Sequence, residues 1–248
     1  MRRLNAMRYE IFKNKNCFIT GATGGLGKQI VLEMAKNKCN LFLTSTNSTK
    51  LRKLKEELES LYGKNINIFY ESGDLNKIHD VNNIIRIVRE NIYSIDILIN
   101  CVGIFMVKSL SESNLKDFEI CFNLNIRAAF IFCKEFSQDM IENRWGRIIN
   151  IGSSSAYGGY KKASLYCASK HALLGFSRSL HDELRRYNIR TFCISPRGLK
   201  TKMGKLIKNQ KFDTLIDPKE VAEYIIFISS FDDEMISEEV RLNRMVIE

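Results

Sequence analysis

The chain has 248 residues, 45% of them hydrophobic and 27% charged, with one Trp and two Pro. This is the composition of a globular protein, and a domain of this length buries roughly 70–75% of its unfolded surface. No apolar run reaches the ~18–20 residues of a membrane span, and seven cysteines without a Cys-x-x-Cys, beside three scattered histidines, exclude a disulfide framework and a metal site. Cys17, Cys39, Cys133 and Cys193 fall within predicted strands and helices and read as thiols of a reducing cytoplasm. The first eight residues carry Arg2, Arg3 and Arg8 with no apolar stretch after them, which is not a signal peptide. The formal net charge of +10 has two readings: an acidic or phosphorylated partner, or a lysine-rich bias on every exposed face. No nucleic-acid partner is expected.

Asn16-Cys17-Phe18-Ile19-Thr20 predicts a short apolar strand that runs into Gly21-Ala22-Thr23-Gly24-Gly25-Leu26-Gly27. Helical periodicity follows through Ile30, Leu32, Met34 and Ala35. Strand, glycine turn and helix form the context of a dinucleotide site. Glycine lets the backbone approach a pyrophosphate, and the helix amino end offers free N–H groups and a positive dipole. A second strand is predicted over Leu41-Phe42-Leu43, and Ser45 and Thr46 come after it. An NAD-preferring site usually places an acid there for the ribose hydroxyls, and none is near. A charged amphipathic helix is predicted from Ser48 to Leu61, a third strand from Ile66 to Tyr70, and a loop at Gly73-Asp74-Leu75. Helical periodicity returns from Val81 to Val88. Asp96 to Ile99 predicts a fourth strand, covered on both faces, ending in Asn100-Cys101-Val102-Gly103.

A long helix is predicted from Leu115, with Asn123 and Asn125 inside it, and Ile148 to Ile151 reads as a buried fifth strand. Ile189 to Ile194 predicts the sixth, followed by Ser195-Pro196-Arg197-Gly198-Leu199-Lys200-Thr201. Asp217-Pro218-Lys219-Glu220 is a helix start, with an N-cap acid and Pro in the first turn; that helix runs to about Ser229. Val240 to Leu242 predicts the last strand. Nothing resembling a linker, repeat or low-complexity tract interrupts the alternation. It predicts one α/β domain over 1–248, a Rossmann-like doubly wound parallel sheet of strand order 3-2-1-4-5-6-7, with a basic extension at 1–13.

Chemistry concentrates between Gly152 and Lys170. Ser153 stands just past the fifth strand, and from Ser164 apolar residues recur at helical spacing, so Tyr166 and Lys170 share one helix face. A free phenol has a pKa of ~10 and is a poor base at neutral pH. A neighbouring ammonium is expected to lower that value and make a usable proton donor and acceptor. Ser153, thirteen residues before Tyr166, can return beside the phenol through a loop.

With these residues the chain resembles the short-chain dehydrogenase/reductase family, in its 3-oxoacyl-reductase-like form. The likeness covers roughly residues 14 to 230. Thr20, Gly21, Gly25 and Gly27 match its glycine pattern, within a turn that also holds Thr23, Gly24 and Leu26. The resemblance implies that Asp74, beside Leu75, touches the adenine, although a loop or cap role is the equal alternative. Asn100 and Gly103 match two residues of an Asn-Asn-Ala-Gly pattern that braces the sheet and passes the adenine ribose. Counting back from Gly146 places Asn125, not Asn123, at the catalytic asparagine. Pro196 and Thr201 match the segment that meets the nicotinamide carboxamide, with Arg197 where glycine is usual. Ser45 and Thr46 without an acid, and Lys28 nearby, imply NADP as cofactor, with NAD as the alternative.

The function implied is interconversion of a ketone and a secondary alcohol. Tyr166 would be the general acid, Lys170 the group that lowers its pKa and binds the nicotinamide ribose, and Ser153 the donor to the substrate oxygen. Asn125 would hold a water. A 3-oxoacyl thioester and a keto-sugar of surface polysaccharide synthesis both fit. The rivals are a dinucleotide sensor without turnover, and a structural role in which Tyr166 and Lys170 line a dimer face. A homotetramer, with a dimer next, is the expected assembly. Residues 199–216 would form a substrate lid. In it Lys202, Lys205, Lys208 and Lys211 recur every three residues, with Lys200 and Arg197 before them and no acid between Arg197 and Phe212. One face of a lid helix would then attract an anionic substrate, or the lysines are merely solvated.

Overall fold

Strand and helix alternate through the computed structural model, which describes residues 9–206 and 211–245. The first half consists of β1 (Asn16–Thr20), α1 (Gly25–Lys36), β2 (Asn40–Ser45), α2 (Ser48–Tyr62), β3 (Ile68–Ser72), α3 (Ile78–Asn91) and β4 (Ile97–Asn100). Next come α4 (Leu115–Phe122), a π-helical turn over Asn123–Arg127, α5 (Ala128–Asn143) and β5 (Gly146–Ile151). The chain continues with α6 (Ser164–Leu184), β6 (Ile189–Pro196), α7 (Pro218–Ser229) and β7 (Glu239–Leu242). Every strand pair is parallel, and the order is the expected β3-β2-β1-β4-β5-β6-β7. Among the described residues no helix is long and apolar enough to cross a membrane.

The strands are apolar because helices cover both faces. Successive side chains alternate between those faces. Ile19, Leu41 and Leu43 therefore pack with Ile30, Met34, Val221 and Ile225, while Phe18, Leu98 and Ile148 pack with Val81, Phe132 and Phe136 on the other side. The Phe18 ring lies 4.8 Å from Phe132 and 5.1 Å from Phe136, and burying one such side chain stabilises by about 1.5–3 kcal/mol. Helix α7 starts as its sequence predicts: Asp217 accepts from Lys219 N at 2.8 Å, with Pro218 in the first turn.

Three details differ from the pattern reading. Strand β3 begins at Ile68 rather than Ile66, because the Asn67 N–H is taken by the Asn40 side chain at 2.9 Å. The helix expected from Leu115 is broken by the π turn. Charge also enters the sheet centre, where Arg147 of β5 is fully buried. Its guanidinium donates to the carbonyls of Gly146, Ser229 and Phe231 and pairs with Asp232, which ties the carboxyl end of α7 to the sheet. Arg2, Arg3 and Arg8 lie outside the described residues. Within the rest of the expected extension, Phe12 is fully buried and its carbonyl accepts from Cys39 Sγ at 3.2 Å.

Candidate active site

Open α/β sheets bind ligands past the carboxyl ends of their strands, and there Thr20, Ser45, Asn100, Ser153 and Pro196 gather. Gly152 lets β5 pass close to β6, since a Cβ there would overlap Ser195 Oγ. Ser153 is extended, and its hydroxyl accepts from Ser155 N at 3.1 Å, which folds the chain into a short turn over Ser154–Ala156. Lys162, in the left-handed region at φ 61, redirects the chain into α6. One turn into that helix, Tyr166 packs edge-on against Phe105 at 4.9 Å. Lys170 follows one turn later, 4% exposed, and its ammonium donates to Ile151 O at 2.8 Å.

Burial dominates the electrostatics of both side chains. It pushes the Tyr166 phenol up to about 12, while its hydrogen bond with Ser153 pulls the other way. It lowers the Lys170 ammonium to about 8. The lowering of the phenol by the ammonium, expected from their spacing, is thus not found. The cation is turned to the Ile151 carbonyl, and the phenol behind Phe105 loses more by desolvation than Ser153 returns.

The π turn places Asn125, 1% exposed, against the loop after β4. Its Oδ1 accepts from Ile104 N at 2.8 Å, and its Nδ2 donates to Ile104 O at 3.1 Å and to Ser169 Oγ at 2.9 Å. Ser169 in turn donates to Tyr166 O at 2.8 Å. Glycine fits most easily at Gly103: a Cβ would stand a tight 3.0 Å from Asn125 Oδ1 and in ordinary contact, 3.5 Å, with Lys170 Nζ. Asn123 points elsewhere and bonds Asn76 at 2.9 Å. Ser169 escapes sequence reasoning, because a helical serine ordinarily bonds its own backbone; its place inside Tyr-Cys-Ala-Ser-Lys was the available signal.

The glycine turn fits an anionic ligand. Gly21 has a φ of 67°, and Gly24 caps α1 without any side chain, so the first N–H groups of the helix are left for an incoming anion. Leu26 and Gly27 are buried beneath the turn, Thr23 is half-buried, and Gly24 and Gly25 are exposed. A Cβ on Gly25 would stand 2.5 Å from Thr201 Cγ2, so Thr201 overhangs the turn. Thr20 braces it from below, its hydroxyl accepting from Cys101 N at 3.0 Å and Val102 N at 3.1 Å. Asn100 braces the sheet through Asn150 at 2.8 Å. Ser45 Oγ accepts from Asn47 N at 3.3 Å and Thr46 is exposed. Lys28 does not stand free beside them, because it pairs with Glu57 at 2.8 Å. Asp74 accepts from Asn76 N at 3.0 Å and so closes its own turn, and the carbonyl of buried Leu75 accepts from Arg127.

A cavity of about 750 Å³ opens in front of Ser153 and Tyr166, with Pro196 and Thr201 on its far wall. Lys108, Lys161, Lys162 and Arg197 line it too. Backbone Lys108 N donates to Lys162 O at 2.6 Å, joining the two loops at the rim. The Lys108 ammonium is paired with Asp117, and the Glu112 carboxylate with Ser109. The expected cationic lid helix is not found. The described part of 199–216 holds only short turns at Gly204–Leu206 and Phe212–Thr214, and Lys208 lies outside the described residues. Of the described members of the basic cluster only Arg197 lines the cavity; Lys205 stands over the Phe212 ring at 5.4 Å. Sequence reasoning missed Lys108, Lys161 and Lys162, since nothing in their spacing joins two loops whose lysines stand 53 and 54 residues apart.

Fold and cleft together are those of a dinucleotide-type oxidoreductase. The profile of the short chain dehydrogenase family matches residues 15–211, and the chain belongs to that family. The 3-oxoacyl-(acyl-carrier-protein) reductase FabG of Buchnera aphidicola subsp. Acyrthosiphon pisum is 32% identical over 225 residues, covering 87% of this chain and 90% of its own. That of Aquifex aeolicus is 27% identical over 232 residues, covering 88% and 91%. Among solved structures, ElxO with NADP bound superposes with a TM-score of 0.80 at 28% identity, over 92% of this chain and 96% of that one.

The buried ammonium predicts a pH dependence of stability. Lys170 titrates at about 8 in the folded chain against 10.5 as its ordinary value. Between these pH values the unfolded chain holds more of the proton, so stability from this group rises with pH. Urea unfolding of wild type and Lys170→Met at a series of pH values should show wild type gaining up to about 3 kcal/mol on the variant across that window. Parallel curves would mean an ordinary, solvated ammonium.

Proposed function

We propose that the protein is an NADP-dependent reductase that interconverts a ketone and a secondary alcohol, with Ser153, Tyr166, Lys170 and Asn125 as its acid–base machinery. The observation that carries this reading is that Ser153 and Tyr166 meet at the wall of one cavity, where Ser153 acts to lower the Tyr166 pKa, with a buried ammonium one turn behind. A nicotinamide dinucleotide, when bound, supplies the reducing equivalent to the carbonyl carbon. Everything else falls to the chain's own groups. Tyr166 gives its proton to the carbonyl oxygen, and a phenol kept protonated by burial is suited to that step. Ser153 donates to the same oxygen and stabilises the charge that develops on it. Lys170 returns a proton toward the phenol and holds the nicotinamide ribose. Asn125 positions the water that links Lys170 to solvent.

The dinucleotide is assigned to the turn Gly21–Gly27 for its pyrophosphate and to Ser45 and Thr46 for the adenosine ribose. Asp74 and Leu75 take the adenine, Asn100 and Gly103 the ribose side, and Pro196 and Thr201 the carboxamide. NADP is preferred because no carboxylate follows β2 and because ElxO, 28% identical, has NADP bound. The FabG relatives support a 3-oxoacyl or similar carbonyl substrate. Exposed Lys161 and Lys162, with Arg197, support an anionic one, gathered under a lid formed by 199–216. Seven free thiols suit a cytoplasmic protein. Exposed Phe118 on α4 and Phe130 on α5, 42% and 48% exposed, support a homo-oligomer, a tetramer or dimer, through these helices.

Tyr166→Phe removes the transferable proton and little volume. Turnover, followed at 340 nm, should fall by about 10²–10⁴ while NADPH binding persists; near-normal activity would remove Tyr166 from its role. In the same assay NADPH should be preferred over NADH, and Ser45→Asp should erase or reverse that preference by placing a like charge at the 2′-phosphate. A wild type that prefers NADH would sink the cofactor assignment. Light scattering at micromolar concentration should report a tetramer or dimer, and a strict monomer contradicts the assembly.

A further inference from the structure

Arg244 stands two residues past the end of β7 and is 6% exposed. Its Nη1 reaches Thr214 Oγ1 at 3.4 Å, a long contact with a neutral group. Its Nε and Nη2 are buried with no acceptor among the described residues. Arginine does not escape such a position by losing its proton, so the fold carries the cost of an unpaired buried charge. A like charge adds to that cost. Arg197 lies close enough that, after burial, its repulsion lowers the Arg244 pKa, and no carboxylate among the described residues opposes it. Arg197 is anchored by its backbone N–H, which donates to Leu242 O at 2.9 Å. Its guanidinium has no partner among the described residues, and it lines the cavity. The Arg197–Leu242 backbone bond thus sets Arg197, on the cavity wall at the end of β6, beside the segment that carries Arg244, which lies against the chain's return through Thr214.

We propose that Arg197 and Arg244 form an oxyanion site, in which a phosphate or carboxylate docks between the two guanidinia and takes Arg244 Nε–H and Nη2–H as a fork. The anion is the charged end of the carbonyl substrate, whose reacting group sits at Ser153 and Tyr166. This second statement rests on the reductase reading; the anion site does not.

Thermal unfolding in sodium phosphate and in sodium chloride of equal ionic strength tests the site without any turnover. Phosphate should raise the wild-type midpoint in a saturable way, and Arg244→Met and Arg197→Met should each weaken that response by about ten-fold or more. In chloride, Arg244→Met should unfold a few degrees above wild type, because an apolar side chain of similar length replaces an unpaired charge. A lower midpoint there would mean that Arg244 already has partners. Equal phosphate responses in all three proteins would mean only a general ionic effect. Either result overturns the site.

The second arm compares NADPH-dependent reduction of a 3-oxo acid and of its methyl ester. A fall of about ten-fold in the acid-over-ester ratio of kcat/KM in Arg244→Met assigns the anion to the substrate. An unchanged ratio, with phosphate affinity lost, overturns that assignment in favour of a free anion. If neither carbonyl turns over in wild type, the reductase reading fails while the phosphate titration still decides the site.

Discussion

The active cleft depends on one hydrogen bond, from the Lys170 ammonium to the carbonyl of Ile151. A cation buried this deeply is tolerated only where it has an acceptor, and the acceptor here is the last residue of β5. That contact holds the first turns of α6 against the carboxyl end of the sheet. Tyr166, one turn earlier, is thereby brought to Ser153, two residues beyond Ile151. Ser153 and Tyr166 need no direct tether to keep their relative positions. Strand end and helix start are already joined from beneath.

A second tie crosses the cleft from the other side. The π turn inserts an extra residue into the helical repeat, a feature common where helices carry function. It turns the Asn125 amide toward Ile104 and Ser169, so the loop after β4, the long helix pair and α6 share one set of hydrogen bonds. Gly103 and Lys170 meet at the same point, where a Cβ would crowd Asn125 Oδ1 at 3.0 Å. Buried polar networks of this kind hold a geometry when each member is satisfied. Asn125 meets that condition: both ends of its amide are engaged. Its neighbour Asn100 keeps one unpaired oxygen.

Much of this was legible in the residues alone. Parallel strands covered on both faces read as short apolar runs, so β1, β4, β5 and β6 stood out, and the Asp217-Pro218 pair marked the start of α7. Thr20 to Gly27 and Ser153 to Lys170 were legible because their chemistry lies within one short segment. What failed required pairing across the fold. The Tyr166 pKa follows burial behind Phe105, 61 residues away. Lys28 is claimed by Glu57 from α2. Strand β3 starts late because a side chain from β2 takes its first N–H. The lid lysines kept a regular spacing, yet regular spacing implies one face only if the segment is a continuous helix, and the described part is not.

The two halves of the cleft differ in how they are built, and that difference bears on what each can recognise. The glycine-turn half is backbone: N–H groups, a helix terminus and a threonine that overhangs Gly25. Its demands are geometric and tolerate little change. The cavity half is made of side chains from three loops and the first turn of α6, and loops vary more freely than the scaffold that carries them. Here that freedom is used for charge. The Lys108 ammonium is paired with Asp117 and the Glu112 carboxylate draws on Lys162, whereas Lys161 and Arg197 reach the cavity with no ion pair among the described residues. In a cleft with low-dielectric walls, Lys161, Lys162 and Arg197 outnumber the Glu112 carboxylate and hold a positive potential that bulk solvent screens less than it would on an open surface. The reacting end of the cleft is itself nearly uncharged, with two hydroxyls and an aromatic ring. On the proposed reductase reading, a substrate that satisfies both ends carries its charge away from its carbonyl, at a distance set by the span from Tyr166 to Arg197.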